Sequence, residues 1–243
     1  MTGHFRVDLT FDSGLAFFTR GKSEKIRRSL TERTSVKDVI ESCGVPHTEV
    51  DLIVIDSASV QFSAVLEADC EVVVYGLWAP NTFFPDDRLQ ARHLTRFVAD
   101  GHLGKLTRRL RLLGLDVAYR PDAVDAELVA TSVAEERALL TRDRRLLMHR
   151  AVTHGYYLRS QNPEEQAHEI VRRFDLSNSF APFTRCIRCN AMLLIARKSD
   201  VLPQLEPLTK KYYEEFRRCP ACGRVYWPGS HFPKLVKHVR RFA

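Results

Sequence analysis

The sequence predicts two mixed folds in one chain: an α+β module at the N-terminus, and an α/β domain with a parallel sheet, followed by a cysteine-rich module. Three observations support this prediction. Strand and helix patterns alternate between residues 96 and 174, the net charge changes sign near residue 95, and the C-terminal part contains two Cys-x-x-Cys pairs. The 243 residues also exceed the usual size of one compact domain. We therefore place the boundaries at 1–78, 79–95, 96–180 and 181–243.

Residues 1–78 have the pattern of a small α+β module. Apolar and polar side chains alternate within residues 3–11, with the apolar ones at Phe5, Val7, Leu9 and Phe11, which is typical of a half-buried strand. A turn signal at 12–14 predicts that residues 15–19 return as the partner strand of a hairpin. The other predicted elements are a capped helix at 36–43 and strands at 50–55 and 70–75.

Residues 79–95 contain two prolines and little periodicity, so we interpret them as a linker. Residues 1–95 carry 10 Lys and Arg against 14 Asp and Glu, a net charge of −4, whereas residues 96–243 carry 27 against 16, a net charge of +11. A basic domain favours a polyanionic partner such as nucleic acid, whose phosphates supply most non-specific affinity. An Arg-rich solvated surface is the alternative explanation.

Residues 96–180 show strands in regular alternation with helices. The predicted strands lie at 96–99, 116–119, 137–140 and 154–158, and an apolar helical pattern follows each of them. This alternation predicts a parallel sheet with helices on both faces. Ligands of such sheets bind beyond the carboxyl ends of the strands.

Three aspartates stand at positions that such a site would use. Asp100 and Asp143 directly follow predicted strands, and Asp125 lies near the start of a predicted helix. Carboxylates gathered at one edge are best tolerated around a divalent cation, and Mg²⁺ and Mn²⁺ prefer oxygen ligands. The alternative is that each aspartate caps a helix, which is a common role of aspartate at this position. The residue pattern leaves both explanations open.

The four C-terminal cysteines form two pairs, Cys186/Cys189 and Cys219/Cys222. Four thiolates at this spacing suit a closed tetrahedral Zn²⁺ site, which is structural because it leaves no open position. A redox-active pair is the alternative. Asn190 and Gly223 follow the second cysteine of each pair, and these residue types favour tight turns with positive φ.

Several motifs from residue 96 to residue 232 occur in a recognisable order. They are Phe97-Val-Ala-Asp100-Gly-His-Leu-Gly104, Asp125-x-Glu127-Leu128, Leu139-Leu-Thr-Arg-Asp143, Cys186-x-x-Cys189-Asn190 and Cys219-x-x-Cys222-Gly223. Together they resemble the Mut-seven C-terminal RNase family, which has a PIN-like nuclease core and a zinc ribbon. The ribbon would occupy residues 181–243, together with a basic tail.

The resemblance implies a Mg²⁺- or Mn²⁺-dependent ribonuclease that hydrolyses RNA phosphodiester bonds. It assigns catalytic and metal-binding roles to Asp100, Asp125 and Asp143, with Glu127 as the competitor of Asp125. A fourth acid, common in PIN nucleases, has no clear match here, and three options stay open: Asp175, Glu165 or an empty position. Many PIN proteins cut structured RNA, so a toxin-like role against tRNA is one expectation. A non-catalytic RNA-binding adaptor with a degenerate nuclease fold is the alternative.

Basic residues near these motifs are the expected RNA contacts, and each can equally be ordinary helix surface. They are Lys105, Arg108, Arg109, Arg142, Arg188 and Arg218. The chain start has no apolar h-region, and no apolar run reaches the roughly 18 residues that span a bilayer. We therefore expect a cytoplasmic protein with RNA as its partner and no membrane partner.

The order of two strands, a helix and two strands in residues 1–78 resembles the ubiquitin-like β-grasp fold, and most of all the sulfur-carrier proteins. Those carriers end in Gly-Gly, whose carboxylate is activated, whereas Tyr75-Gly76-Leu77-Trp78 continues into further chain. Carrier chemistry is therefore not expected. The resemblance to the Mut-seven C-terminal RNase family agrees with this, because bacterial members of that family often carry a ubiquitin-like module at the N-terminus. We expect it to bind a protein partner or to stabilise its neighbour.

Overall fold

The computed structural model describes residues 4–19, 25–80 and 84–242. Residues 81–83 of the predicted linker lie outside this range. The elements of the N-terminal segment are β1 (Phe5–Phe11), β2 (Lys25–Leu30), β3 (Thr34–Ser35), α1 (Val36–Ser42), β4 (Val50–Ile55), β5 (Ala58–Val60), β6 (Val65–Leu66) and β7 (Cys70–Gly76).

Five of these strands form one sheet in the order β2-β1-β7-β4-β5. β1 and β7 run parallel with Leu9 opposite Val72, and the other neighbouring strands are antiparallel. Leu9 and Val72 are fully buried because alternate residues of a strand face the core. Within the described residues, the strands predicted at 3–11, 50–55 and 70–75 are confirmed as β1, β4 and β7.

The predicted hairpin strand at residues 15–19 is wrong. The Asp12 carboxylate accepts a hydrogen bond from the Gly14 amide, and this cap starts a 3-10 helix at Ser13–Leu15. A side-chain cap of this kind favours a helical turn over a two-residue hairpin loop. The antiparallel partner of β1 is β2, which lies further along the chain and whose side chains alternate between exposed and half-buried.

The middle of the chain alternates strands with helices, as predicted. Its elements are β8 (Arg96–Ala99), α2 (Gly104–Leu112), β9 (Asp116–Tyr119), α3 (Asp125–Ala134), β10 (Ala138–Thr141), α4 (Arg144–Leu147), β11 (Gly155–Tyr157) and α5 (Pro163–Arg173). β8 pairs with β9 in parallel, and β10 pairs with β11 in parallel. The parallel pairing predicted for this region is therefore confirmed.

The C-terminal part is built from short elements. They are β12 (Leu194–Ala196), α6 (Lys198–Val201), α7 (Pro207–Tyr212), β13 (Phe216–Arg218), β14 (Val225–Tyr226) and α8 (Phe232–Val239). β12, β13 and β14 form an antiparallel sheet in that order. None of the helices in the described ranges combines the length and the apolar character needed to cross a bilayer.

The chain divides into two compact units. One contains Met1–Arg92 and Asp125–Tyr157, and the other contains His93–Val124 and Leu158–Ala243. In the second unit, Leu106 and Leu110 of α2 are fully buried, as are Phe97 and Phe174, whose ring centroids are 5.1 Å apart. These units combine segments that are distant in sequence, whereas the modules proposed from the sequence are continuous. The module boundaries at residues 78, 95 and 180 therefore stay a prediction.

Helix α2 ends in a close contact that requires glycine. The Leu115 amide donates to the Leu110 carbonyl and the Gly114 amide to the Arg111 carbonyl, which is the hydrogen-bond pattern of a Schellman motif. Gly114 has φ +90°, and a Cβ atom there would lie 2.0 Å from the Ala181 carbonyl oxygen.

Gly114→Ala is expected to lower the free energy of unfolding by at least about 2 kcal/mol, because left-handed strain adds to a backbone clash. Urea unfolding measures this. Gly44→Ala is the matched control, since Gly44 also follows a helix with φ +96° but its Cβ would meet its nearest neighbour at 3.1 Å. Equal losses in the two variants would show that the contact with Ala181 has no energetic role.

Candidate metal centre and catalytic acids

The two cysteine pairs lie on loops with the same backbone hydrogen bonds. In the first, the Asn190 amide donates to the Cys186 carbonyl (2.9 Å); in the second, the Gly223 amide donates to the Cys219 carbonyl (3.0 Å). Asn190 has φ +76° and Gly223 has φ +73°, which confirms the positive φ predicted at both positions. Each loop therefore points two sulfur atoms to one side.

The structure brings the four cysteines together. The Sγ atoms of Cys186, Cys189, Cys219 and Cys222 all lie within 4.8 Å of one another. Cys189 and Cys219 are 3.3 Å apart at sulfur and Cys186 and Cys222 are 3.6 Å apart, far beyond the length of a disulfide. Zinc–sulfur bonds of about 2.3 Å in a tetrahedron place the sulfurs about 3.8 Å apart, so donor type and spacing both fit Zn²⁺.

The four thiols have unequal acidities. Burial acts to raise the pKa of the Cys186 thiol, but hydrogen bonds from the Tyr226 hydroxyl and from the Cys189 and Arg188 amides outweigh it, and the pKa falls to about 6. Burial raises the pKa of Cys189 to about 12, and the neighbouring sulfurs add to this rise. Because adjacent thiolates repel one another, the cluster reaches its fully ionised form only around a cation.

A buried arginine holds the first cysteine loop. Arg111 of α2 is 2% exposed. Its Nε and Nη2 atoms donate to the Val117 carbonyl, and Nη1 donates to the carbonyls of Ile187 and Arg188. Burial lowers the pKa of Arg111, and the nearby Cys189 and Cys186 sulfurs act in the opposite direction. A guanidinium stays protonated in proteins, so this side chain contributes a positive charge beside the cluster.

Side chains also fasten this loop to strand β9. Asn190 Oδ1 accepts from the Val117 amide (3.1 Å), and Asn190 Nδ2 donates to Asp116 Oδ1 (2.7 Å). The second Asp116 oxygen lies 3.5 Å from the Arg185 guanidinium, which also donates to the Gly114 carbonyl. The sequence analysis did not identify Arg111 or Asp116 as part of the site. Arg111 is one of several arginines on its helix and Asp116 is the first residue of its strand, and no local pattern distinguishes either from an exposed residue.

The loop after β8 packs tightly around Asp100. Tyr119 Oη donates to the Gly101 carbonyl (2.8 Å). A Cβ atom on Gly101 would lie 2.5 Å from the Pro121 carbonyl oxygen, and one on Gly104 would lie 2.6 Å from Tyr119 Oη. Close packing against backbone therefore requires Gly101, and the absence of a side chain at Gly104 leaves room for the Tyr119 hydroxyl beside the loop that carries Asp100.

Two of the predicted acids cap helices. Asp100 is half-buried, and its Oδ1 accepts from the His102 amide (3.3 Å) at the start of a 3-10 helix. Asp143 is exposed, and its Oδ1 accepts from the amides of Arg145 (2.7 Å) and Leu146 (3.4 Å) at the start of α4. The capping explanation is confirmed for both residues. It is compatible with metal binding, because a carboxylate has two oxygens with several acceptor sites.

Asp125 is exposed and begins helix α3, with Glu127 in the same turn. Asp100 belongs to the compact unit that contains α2, and Asp125 and Asp143 belong to the other unit. The meeting of the three carboxylates at one cation stays a prediction.

Five of the six predicted RNA-contact residues are exposed: Lys105, Arg108, Arg142, Arg188 and Arg218. The sixth, Arg109, has a half-buried side chain whose Nη2 lies 3.9 Å from Glu164 Oε2. The Arg241 guanidinium and His238 also face Glu164, so Arg109 belongs to a charged cluster between helices α2, α5 and α8.

Comparison with protein families gives two matches. Residues 95–239, more than half of the chain, match the family described as Mut7-C RNAse domain. Residues 6–81 match the family described as Mut7-C ubiquitin. A comparison with curated proteins finds no match.

Purified protein is expected to contain about one equivalent of zinc, and Cys219→Ser is expected to lower this sharply and destabilise the C-terminal module, because metal binding is coupled to folding. Elemental analysis and thermal unfolding measure the two effects. Cys70→Ser is the control, because this free cysteine lies outside the cluster. A stable, metal-free protein with a Cys186–Cys189 disulfide would contradict the assignment.

Arg111→Met is expected to lower the free energy of unfolding of the zinc-loaded protein by about 3 kcal/mol, because three carbonyls lose their buried donors. Arg111→Lys keeps the charge but has one donor group, so we expect it to recover only part of the loss. Arg108→Ala, at an exposed position of the same helix, is expected to change stability by under about 0.5 kcal/mol. Similar losses in Arg111→Met and Arg108→Ala would exclude the proposed role of Arg111.

Proposed function

The chain belongs to the Mut7-C RNase domain family, and from this premise we propose that it is a divalent-metal-dependent ribonuclease that hydrolyses phosphodiester bonds of RNA. The observation that carries the proposal is the family match over residues 95–239, which spans Asp100, Asp125, Asp143 and the cysteine cluster. The net charge of +11 on residues 96–243 agrees with a polyanionic substrate.

We assign the catalytic acids to the ends of parallel strands. Asp100 directly follows β8, and Asp143 lies two residues after β10, at the carboxyl ends where ligands of parallel sheets bind. A backbone amide donates to Oδ1 of each carboxylate, and this restricts the orientation of the side chain. Carboxylate oxygens are the donors that Mg²⁺ and Mn²⁺ prefer, so the residues present fit such an ion.

The ion, when bound, supplies positive charge to the scissile phosphate and makes water more acidic. The chain itself contributes the oriented carboxylates and the cationic surface that holds the RNA backbone. Asp125 is proposed as the third acid, with Glu127 in the same turn as its competitor. For the fourth acid we propose Glu165 or Asp175; Glu165 accepts from the Ser160 hydroxyl, and Asp175 lies 3.7 Å from His93.

We propose that the cysteine cluster holds a structural zinc ion and that residues 181–243 form a zinc ribbon attached to a PIN-like core. The closed donor set supports a structural role, because four thiolates leave no position for substrate. The exposed side chains of Lys105, Arg108, Arg142, Arg188 and Arg218 are the proposed phosphate contacts, and Arg109 is the weakest of the candidates because it faces Glu164. Among RNAs, tRNA and other structured RNAs in a toxin-like role are the first substrates to test.

Asp143→Asn is expected to lower ribonuclease activity by at least about 10²-fold, because it removes a metal-binding charge, with little change in stability, because asparagine also caps helices. Total RNA incubated with Mg²⁺ or Mn²⁺, followed by mapping of product ends, measures the activity. Asp125→Asn and Glu127→Gln in the same assay identify the third acid by the larger loss.

Asp122→Asn is the control for the removal of a negative charge, because Asp122 is largely exposed beside Arg120. We expect it to keep wild-type activity within about twofold. Retention of activity in Asp143→Asn would contradict the site. A wild-type protein that binds RNA but does not cut it with either metal would favour the RNA-binding adaptor.

A further inference from the structure

Arg144, the residue directly after Asp143, makes hydrogen bonds to the N-terminal segment, residues 1–78 of the chain. Its Nη1 donates to the Phe18 carbonyl (3.0 Å), and its Nη2 donates to the Phe17 carbonyl (3.2 Å). The guanidinium carbon lies 5.0 Å from the ring centroid of Phe17, 5.2 Å from that of Phe18 and 5.9 Å from that of Tyr157. One side chain therefore combines two directed hydrogen bonds with contacts to three aromatic rings.

A second set of contacts holds strand β11, which follows α4. Glu49 is fully buried, and its Oε1 accepts from the Tyr157 amide (2.7 Å). The buried His47 ring contacts the Val152 carbonyl through Nε2 (2.7 Å) and Glu41 through Nδ1 (2.6 Å). A carbonyl is an acceptor only, so the His47 Nε2 atom donates to Val152.

The helix between these contacts, α4, is too short to be stable without tertiary contacts. α4 spans Arg144–Leu147, a single turn, and one helical turn is unstable without tertiary support. Its N-terminal cap is Asp143, whose Oδ1 accepts from the amides of Arg145 and Leu146. On the other side, the Asp143 amide donates to the Oγ1 atom of buried Thr141 (3.0 Å). The direction of the Asp143 carboxylate is therefore linked to the placement of this turn.

We propose that the N-terminal segment acts as an intramolecular clamp that positions Asp143, and that Arg144 is the positioning residue through which it acts. The clamp consists of Phe17, Phe18, His47 and Glu49. Its partner is a segment of the same chain, residues 144–157, so this face of the N-terminal segment is occupied. The catalytic role of Asp143 rests on the proposed ribonuclease function, whereas the effect of the clamp on the order of α4 does not depend on that function.

The test uses the full-length, zinc-loaded protein and two independent measurements. Amide hydrogen exchange followed by NMR reports the Leu146 amide, which donates to Asp143, whether or not the protein is active. Ribonuclease kinetics with Mn²⁺ report kcat and KM separately. Arg144→Ala is expected to speed exchange at Leu146 at least about tenfold, to lower kcat about tenfold, and to leave KM and exchange at Val72 within about twofold.

Three further variants separate positioning from general destabilisation. Phe17→Ala removes a ring that is 48% exposed and distant in sequence but keeps the Phe17 carbonyl that accepts from Arg144, so it is expected to speed exchange at Leu146 by a smaller factor, about two- to fivefold. Arg144→Lys keeps the charge without the paired donors and is expected to fall between Arg144→Ala and wild type. Arg145→Ala changes the adjacent exposed arginine of the same helix and is expected to leave exchange at Leu146 and kcat near wild type.

Unchanged exchange at Leu146 in both Arg144→Ala and Phe17→Ala would overturn the clamp. An equal increase in the exchange rates at Leu146 and Val72 would also overturn the clamp, because Arg144 would then contribute only to the overall stability of the protein. Faster exchange at Leu146 in a protein whose wild type cuts no RNA would support the clamp and contradict the ribonuclease function. Faster exchange with an unchanged kcat would overturn the positioning of Asp143.

Discussion

The guanidinium of Arg111 joins helix α2, strand β9 and the first cysteine loop through hydrogen bonds to three backbone carbonyls. A buried charge costs several kcal/mol unless its donors are satisfied, so these three elements keep one relative arrangement. The same charge lies near the sulfurs of Cys186 and Cys189, where it stabilises the negative charge of the thiolates. Because α2 begins at the loop that carries Asp100, the cysteine cluster and this acid share one support.

The acids proposed for catalysis also stabilise local structure. Asp100 and Asp143 each accept hydrogen bonds from backbone amides at the start of a helical turn. A capping carboxylate keeps acceptor sites that a cation can use, so the position of these residues after a strand agrees with both explanations that the sequence leaves open. An amide held at Oδ1 orients the carboxylate before any cation binds, and orientation in advance lowers the entropic cost of forming a metal site.

The N-terminal segment matches a ubiquitin-type family model, yet one of its faces is used inside the chain. Glu49 and His47 are buried polar side chains with partners at Tyr157 and Val152. Buried polar groups are costly without such partners, so these contacts are evidence of a permanent intramolecular interface. Of the two roles expected from the sequence, the contacts favour stabilisation of the neighbouring segment.

The sequence by itself determined the longer strands of the N-terminal sheet, the alternating strands and helices of residues 96–174, and the two cysteine loops with the positive φ of Asn190 and Gly223, because periodicity, capping and turn chemistry act over a few residues. It did not predict the shorter strands β3, β5, β6 and β12–β14. It also determined the family through motifs whose order is visible along the chain. It failed at residues 15–19, where the local turn is helical and the partner of β1 comes from β2. Only the tertiary structure decided the partners of Arg111, Arg144 and Glu49, which lie up to 127 residues away in sequence. No local pattern encodes such pairs. Each pair depends on the packing of the fold, which decides which distant backbone groups are buried and need a hydrogen-bond partner.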